Sequence, residues 1–157
     1  MNRCVKCGSN GLRAVDVAET VTVGNLGFEG SVQGWTCDAC GETYLAGPDV
    51  GLYDKLVSKW LAEHDVATRE AFRFMRKASG MRAVDLAGLL GVTPETVSHW
   101  ETGKHELPRN AVALLAAIVL EQAEGRTDTV ERLRRLGEHP GVAKPRVIRL
   151  KRPAATG

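Results

Sequence analysis

The 157-residue sequence predicts an α+β fold, a small β-hairpin module followed by an all-α domain. Two observations carry that prediction. All four cysteines lie in the first 40 residues, as Cys4-x2-Cys7 and Cys37-x2-Cys40, with an alternating apolar run between them. Further on, Gly80 to Lys104 reads as two short helices joined by a tight turn. The first observation implies a zinc-stabilised hairpin, the second a helix-turn-helix.

A Cys-x-x-Cys turn points two thiolates at one centre, and Gly8 and Gly41 let the backbone curl after each pair. Two such knuckles give four sulfurs for one tetrahedral Zn²⁺, so Cys4, Cys7, Cys37 and Cys40 are the expected ligands of one structural zinc per chain. An iron–sulfur centre and thiol redox chemistry are the other uses of such thiols, and a reducing compartment disfavours two disulfides. Between the knuckles Val15, Val17, Val21 and Val23 alternate with Asp16, Ala18, Thr20 and Thr22, a half-buried strand. Asn25-Leu26-Gly27 is the expected turn, and Phe28 to Thr36 the returning strand, with Gly30 and Gly34 as sites for a bulge or a twisted edge. Two strands bury little area, so metal must hold the module together.

Gly47-Pro48-Asp49 breaks the chain, with Asp49 as a helix cap. Val50, Tyr53, Val57, Trp60, Leu61 and His64 then follow helical spacing, an amphipathic connector ending between Glu63 and Ala67, with His64 closing its face. Thr68 opens the next helix, with Phe72 and Met75 inward and Arg69, Arg73, Arg76 and Lys77 outward. That basic run is a solvated face or a phosphate contact.

Met81, Leu86, Ala87 and Leu90 mark the apolar face of the first motif helix, and Gly91 ends it. Thr93 as N-cap, Pro94 at the first position and Glu95 in the first turn all favour a new helix start. That helix buries Val97 and Trp100, stops at Gly103, and leaves Glu95, Thr96, Ser98 and His99 on its outer side as candidate base contacts. Arg82, Lys104 and Arg109 are the candidate contacts to the DNA backbone. A strongly apolar helix starts at Pro108 and runs to about Glu124; Leu114, Leu115, Ile118 and Val119 either complete the core or form a dimer face. Asp128 to Leu136, with Arg132, Arg134 and Arg135, forms a last helix. The expected division is residues 1–47 zinc-binding module, 48–67 connector helix and linker, 68–139 helix-turn-helix domain, and 140–157 basic tail.

Composition is ordinary for a globular protein, 43% hydrophobic and 25% charged. The longest apolar run, Ala111 to Leu120, is too short to span a bilayer, and Met1-Asn2-Arg3 shows no signal peptide, so a cytoplasmic location is expected. The net charge of +2 divides as −3 in residues 1–50, zero in 51–139 and +5 in 140–157. Phosphate attraction dominates nucleic-acid affinity, so the acidic front is a poor stand-alone binder and the tail a better one. The four histidines are scattered and no nucleophile–base constellation can be placed, so no enzyme activity is expected.

Val97-Ser98-His99-Trp100-Glu101-Thr102-Gly103-Lys104 resembles the Ile-Ser-Arg-Trp-Glu-x-Gly-Lys run of the Xre-type helix-turn-helix family. The two knuckles, Trp35 ahead of the second and the closing Cys40-Gly41-Glu42 resemble the zinc-finger half of the MqsA-type (YgiT-type) antitoxin family. The order of the two motifs is also that family's, over residues 4 to 139. The resemblance implies a sequence-specific DNA-binding antitoxin: the zinc half engages an mRNA-cleaving toxin, and the helix-turn-helix half dimerises on operator DNA and represses its own operon. The alternative is a stand-alone transcriptional regulator with a structural zinc module and no toxin partner. The sequence departs from the family in its basic tail, and in Glu95 and His99 where members often carry Asn and Arg.

Overall fold

The computed structural model describes residues 3–138 together with 147 and 149; most of the basic tail lies outside the described residues. Among these the chain forms a three-stranded antiparallel sheet and then six helices: β1 (Leu12–Val23), β2 (Leu26–Cys37), β3 (Thr43–Leu45), α1 (Gly47–Glu63), α2 (Arg69–Ala78), α3 (Ala83–Leu90), α4 (Pro94–Thr102), α5 (Arg109–Ala123) and α6 (Asp128–Glu138). The fold is α+β, as the sequence predicts.

The sheet runs in the order β1-β2-β3. Along β1 the valines face inward in strict alternation, with Val23 buried at the tip. The turn is one step earlier than expected, at Gly24-Asn25, and Leu26 and Gly27 belong to β2. Gly24 has φ +61° and Asn25 is not a positive-φ residue, the pattern of a two-residue II′ turn with glycine first.

Twelve consecutive pairs, from Leu12 opposite Cys37 to Val23 opposite Leu26, leave no bulge at Gly30 or Gly34. These glycines serve close approach instead. A Cβ on Gly30 would stand 2.6 Å from the Tyr53 ring, and one on Gly34 2.6 Å from the Tyr44 carbonyl oxygen. The third strand was not expected; it pairs Trp35 with Tyr44 and Thr36 with Thr43, and three residues are too few to show alternation.

Helix α1 starts at Gly47 with Ala46 as its N-cap and Pro48 in the first turn, so Asp49 lies inside the helix and does not cap it. α1 packs mainly on α2, α5 and β2. Its Val57, Leu61 and Ala62 join Phe72, Met75, Leu86, Val97, Trp100 and Leu115 in one core, which Val23 enters from the hairpin tip. His64 closes the helix by stacking on Trp60, ring centroids 3.9 Å apart. The apolar excess on α5 is used in the interior: Leu115, Ile118 and Val119 are buried and Leu114 half-buried, so they do not form a free face. No helix among the described residues is long and apolar enough to cross a membrane.

Candidate metal centre and recognition helix

The two knuckles close on each other because β1 and β2 are in register up to Leu12 and Cys37, which sets the loop of the first against the loop of the second. Gly8 N–H donates to Cys4 O and Gly41 N–H to Cys37 O, each 2.8 Å, and both glycines have φ above +70°. The four Sγ atoms lie within 4.8 Å of one another, with Cys4 to Cys40 and Cys7 to Cys37 each 3.6 Å. A tetrahedral zinc with Zn–S of about 2.3 Å has S···S edges of roughly 3.8 Å. Four sulfurs in this arrangement can hold one metal ion, and the donor set and spacing fit zinc.

Tyr44 on β3 completes the site and was missed from sequence. Its hydroxyl accepts from Lys6 N–H (3.2 Å) and lies 3.1 Å from Cys4 Sγ, so its own proton is free to reach the sulfur. That hydrogen bond holds the Cys4 thiol down at about 6, against opposing desolvation. At Cys40 the Glu42 N–H acts to lower the value, but burial and the neighbouring Cys7, Cys4 and Cys37 thiols outweigh it and push it up to about 12. Four crowded thiols resist shared deprotonation, and a divalent cation relieves that repulsion. The only sequence signal for Tyr44 is its place four residues after Cys40.

The second unit is α3–turn–α4. α3 begins at Ala83, two residues later than the apolar spacing implies. Met81 therefore precedes the helix and packs against the core from outside it. Gly91 (φ +67°) ends α3 in the left-handed region, where glycine carries no Cβ penalty. Thr93 Oγ1 accepts from Thr96 N–H (3.2 Å), Pro94 follows, and Gly103 (φ +76°) closes α4. Val97 and Trp100 are buried, with Trp100 edge-on to Phe72.

α4 is locked from behind by a pair that sequence reading did not find. Arg76, assigned outward by spacing, is 8% exposed. Its Nε and Nη2 donate to the two Glu101 carboxylate oxygens (2.6 and 2.9 Å), and its Nη1 donates to Met81 O (2.7 Å). One guanidinium thus ties α2, the α2–α3 turn and α4 together. The partners are 25 residues apart, so no local periodicity reports the pair.

Residues 69–146 match the model of a family described as a helix-turn-helix domain. The chain carries a helix-turn-helix domain. No curated protein and no solved structure matches it. The match supports an Xre-type helix-turn-helix and a DNA-binding regulator; proteins of this kind are typically non-enzymatic. It starts at Arg69 and does not reach the cysteine module.

Within this helix-turn-helix, α4 carries all four side chains expected to read bases. Glu95 and Ser98 are exposed, Thr96 and His99 half-buried. The Thr96 hydroxyl is 3.1 Å from Thr93 Oγ1, so the cap already engages it. The Glu95 carboxyl is held below its ordinary range by its own backbone N–H, then by the Thr93 hydroxyl, and last by the field of His99. The His99 ring is edge-on to His105 at 4.6 Å.

The three expected phosphate contacts are all exposed but are not alike. The Arg82 guanidinium grips Asp85 through two bonds of 2.9 and 2.8 Å, and Asp85 also accepts from Arg82 N–H. Arg82 holds the Asp85 carboxyl down at about 2, so the pair persists across physiological pH. Lys104 follows the Gly103 cap, its N–H on His99 O (2.9 Å). Arg109 opens α5 and lines a hollow with Leu61, Asp65 and Met75.

Proposed function

We propose that the chain is a sequence-specific DNA-binding repressor of its own operon and an antitoxin. In this reading α4 enters the major groove, Cys4, Cys7, Cys37 and Cys40 hold one structural zinc, and the module engages a toxin protein. Residues 1–47 are then the metal module, 48–67 the connector and 68–139 the DNA-binding domain. The observation that carries the DNA half is the polar leading edge of α4 above a buried Val97–Trp100 stripe. Glutamate accepts from cytosine N4, and histidine donates to guanine N7 or O6.

Substitutions separate base reading from backbone contact. Glu95→Ala and His99→Ala should each weaken the cognate site by about 1–3 kcal/mol and relax preference at one position. Lys104→Ala should weaken all sequences alike and flatten the salt dependence by about one unit. Equal losses on cognate and scrambled DNA for both α4 variants would remove those two residues from specificity.

One recognition helix reads few base pairs, so a homodimer on two half-sites about one helical turn apart belongs to the same reading. A strictly monomeric mass at high concentration, with binding to a single half-site, would exclude it.

An apolar hollow favours a protein partner. Leu26, Phe28, Tyr53, Leu56 and Trp60 line it beside the hairpin, and Leu52 and Leu56 are more than half exposed. Contiguous exposed apolar surface marks contact sites. The stand-alone regulator has its own supporting observation: Val21, Val23, Leu26 and Phe28 pack against the helical core, which gives the module a structural role without a toxin. Isolation of the untagged complex from the native host decides between them. A toxin-sized partner that leaves when the module is deleted supports the antitoxin; operator binding with no such partner supports the regulator.

A further inference from the structure

The inner face of α1 carries one polar residue. Its buried positions are Val57, Ser58, Leu61 and Ala62, and Ser58 is 2% exposed. A serine inside a helix can bond the carbonyl four residues back. The Ser58 Oγ has no hydrogen-bond partner among the described residues. An unpaired buried hydroxyl is destabilising, so its presence on this face needs an explanation.

Ser58 lines a cavity of about 350 Å³ between α1, the ends of α2 and α5, and the α5–α6 loop. That is the volume of roughly a dozen waters, at the small end of ligand sites. Ala78, Val119 and Ala123 give it an apolar wall. Its polar lining is Lys55, Ser58, Ser79, Gln122, Arg126 and Thr127, with no Asp or Glu among the lining residues. The hollows beside α3, beside the hairpin and at Arg109 contain Asp85, Glu29 and Asp65 instead. Arg126 is engaged by Glu124 and Asp128. Lys55 has no acidic partner among the described residues. An apolar wall, hydroxyl and amide donors and one unpaired cation together fit an anion with an apolar body.

We propose that this cavity binds a small monocarboxylate of about ten non-hydrogen atoms, its apolar body on Ala78, Val119 and Ala123 and its carboxylate taken by Lys55 and Ser58. The site is separate from the cysteine cluster and from the polar edge of α4, and depends on neither reading. Ser79 caps α2 two residues before Met81, whose carbonyl takes the Arg76 guanidinium that locks α4. The occupant therefore sits beside the clamp on the recognition helix. The competing occupant is an amine, because α2 and α5 both end at the cavity and helix C-termini attract cations.

The test titrates the full zinc-loaded chain with benzoate and with hexanoate and follows backbone amide NMR shifts. Benzamide, benzylamine and acetate are the controls: the first lacks the charge, the second reverses it, the third lacks the apolar body. Benzoate or hexanoate should give saturable shifts at Ser58, Ser79 and Gly125. Each control should bind at least about tenfold more weakly. Lys55→Gln should weaken benzoate binding about two- to fivefold. Ser58→Ala should weaken it too, yet leave the free chain at least as stable, because the lost hydroxyl had no partner. A serine with a structural role alone would show the reverse, lost stability and unchanged benzoate binding. No saturable shift with either carboxylate would mean that the cavity holds water only, and would overturn the proposal. So would equal binding of benzamide or acetate, tighter binding of benzylamine, or benzoate shifts that lie outside the cavity or persist unchanged in both variants.

Discussion

Cys37→Ser should release the metal and unfold the module. Cys37 is 1% exposed, ends β2 and has its Sγ 3.6 Å from that of Cys7, so its loss removes a buried member of the four-sulfur cluster. Structural zinc contributes about 10–16 kcal/mol to folding in small metal domains, far more than a three-stranded sheet gains by burial. Metal analysis should find one zinc per unaltered chain and none in the variant, and β1–β2 amides should lose hydrogen-exchange protection. The helical part should stay folded on its own core but melt earlier, because Val23 leaves a buried site in it. Thiolates must be deprotonated to bind, so lowering the pH should release the metal before the helices unfold. Absence of zinc from protein purified without chelator would refute the metal assignment.

Glu101→Ala should be the most damaging single change in the helical part. It strands the Arg76 guanidinium, 8% exposed, without its carboxylate. Breaking a buried pair by removing one partner costs about 3–5 kcal/mol, a large share of a small domain's stability. The double change Arg76→Met with Glu101→Leu should recover most of that loss, since no uncompensated charge remains. Denaturant midpoints measure both. A loss below about 1 kcal/mol for Glu101→Ala would mean that solvent reaches Arg76 and that the pair does not lock α4.

What the sequence revealed, and what it hid, follows from the range of each interaction. Gly91, Thr93, Pro94 and Gly103 act within one helical turn, so the ends of α4 are legible by residue type. The cysteine pairs are legible because metal geometry restricts their spacing. The clamp from Arg76 to Glu101 is invisible because helical phase assigns a charged residue outward unless its partner is known. Tyr44 lies in a strand of three residues, and its contact with Cys4 exists only after β2 has folded back. Gly30 and Gly34 read as sites for a bulge or a twisted edge, yet each makes room, for the Tyr53 ring and for the Tyr44 backbone. The surplus of apolar residues on α5 suggested a second surface because α1, read as a connector, was not counted as a wall of the same core.

The central claim is that α4 reads base edges in the major groove. Selection of bound sequences from a random duplex library tests it most directly, with the zinc-loaded unaltered chain beside His99→Ala. The account predicts an enriched motif for the unaltered chain, and loss of preference at one position of each half-site for His99→Ala. No enrichment from the unaltered chain, or an identical motif from both with all preference retained when Glu95 is also replaced, would contradict it.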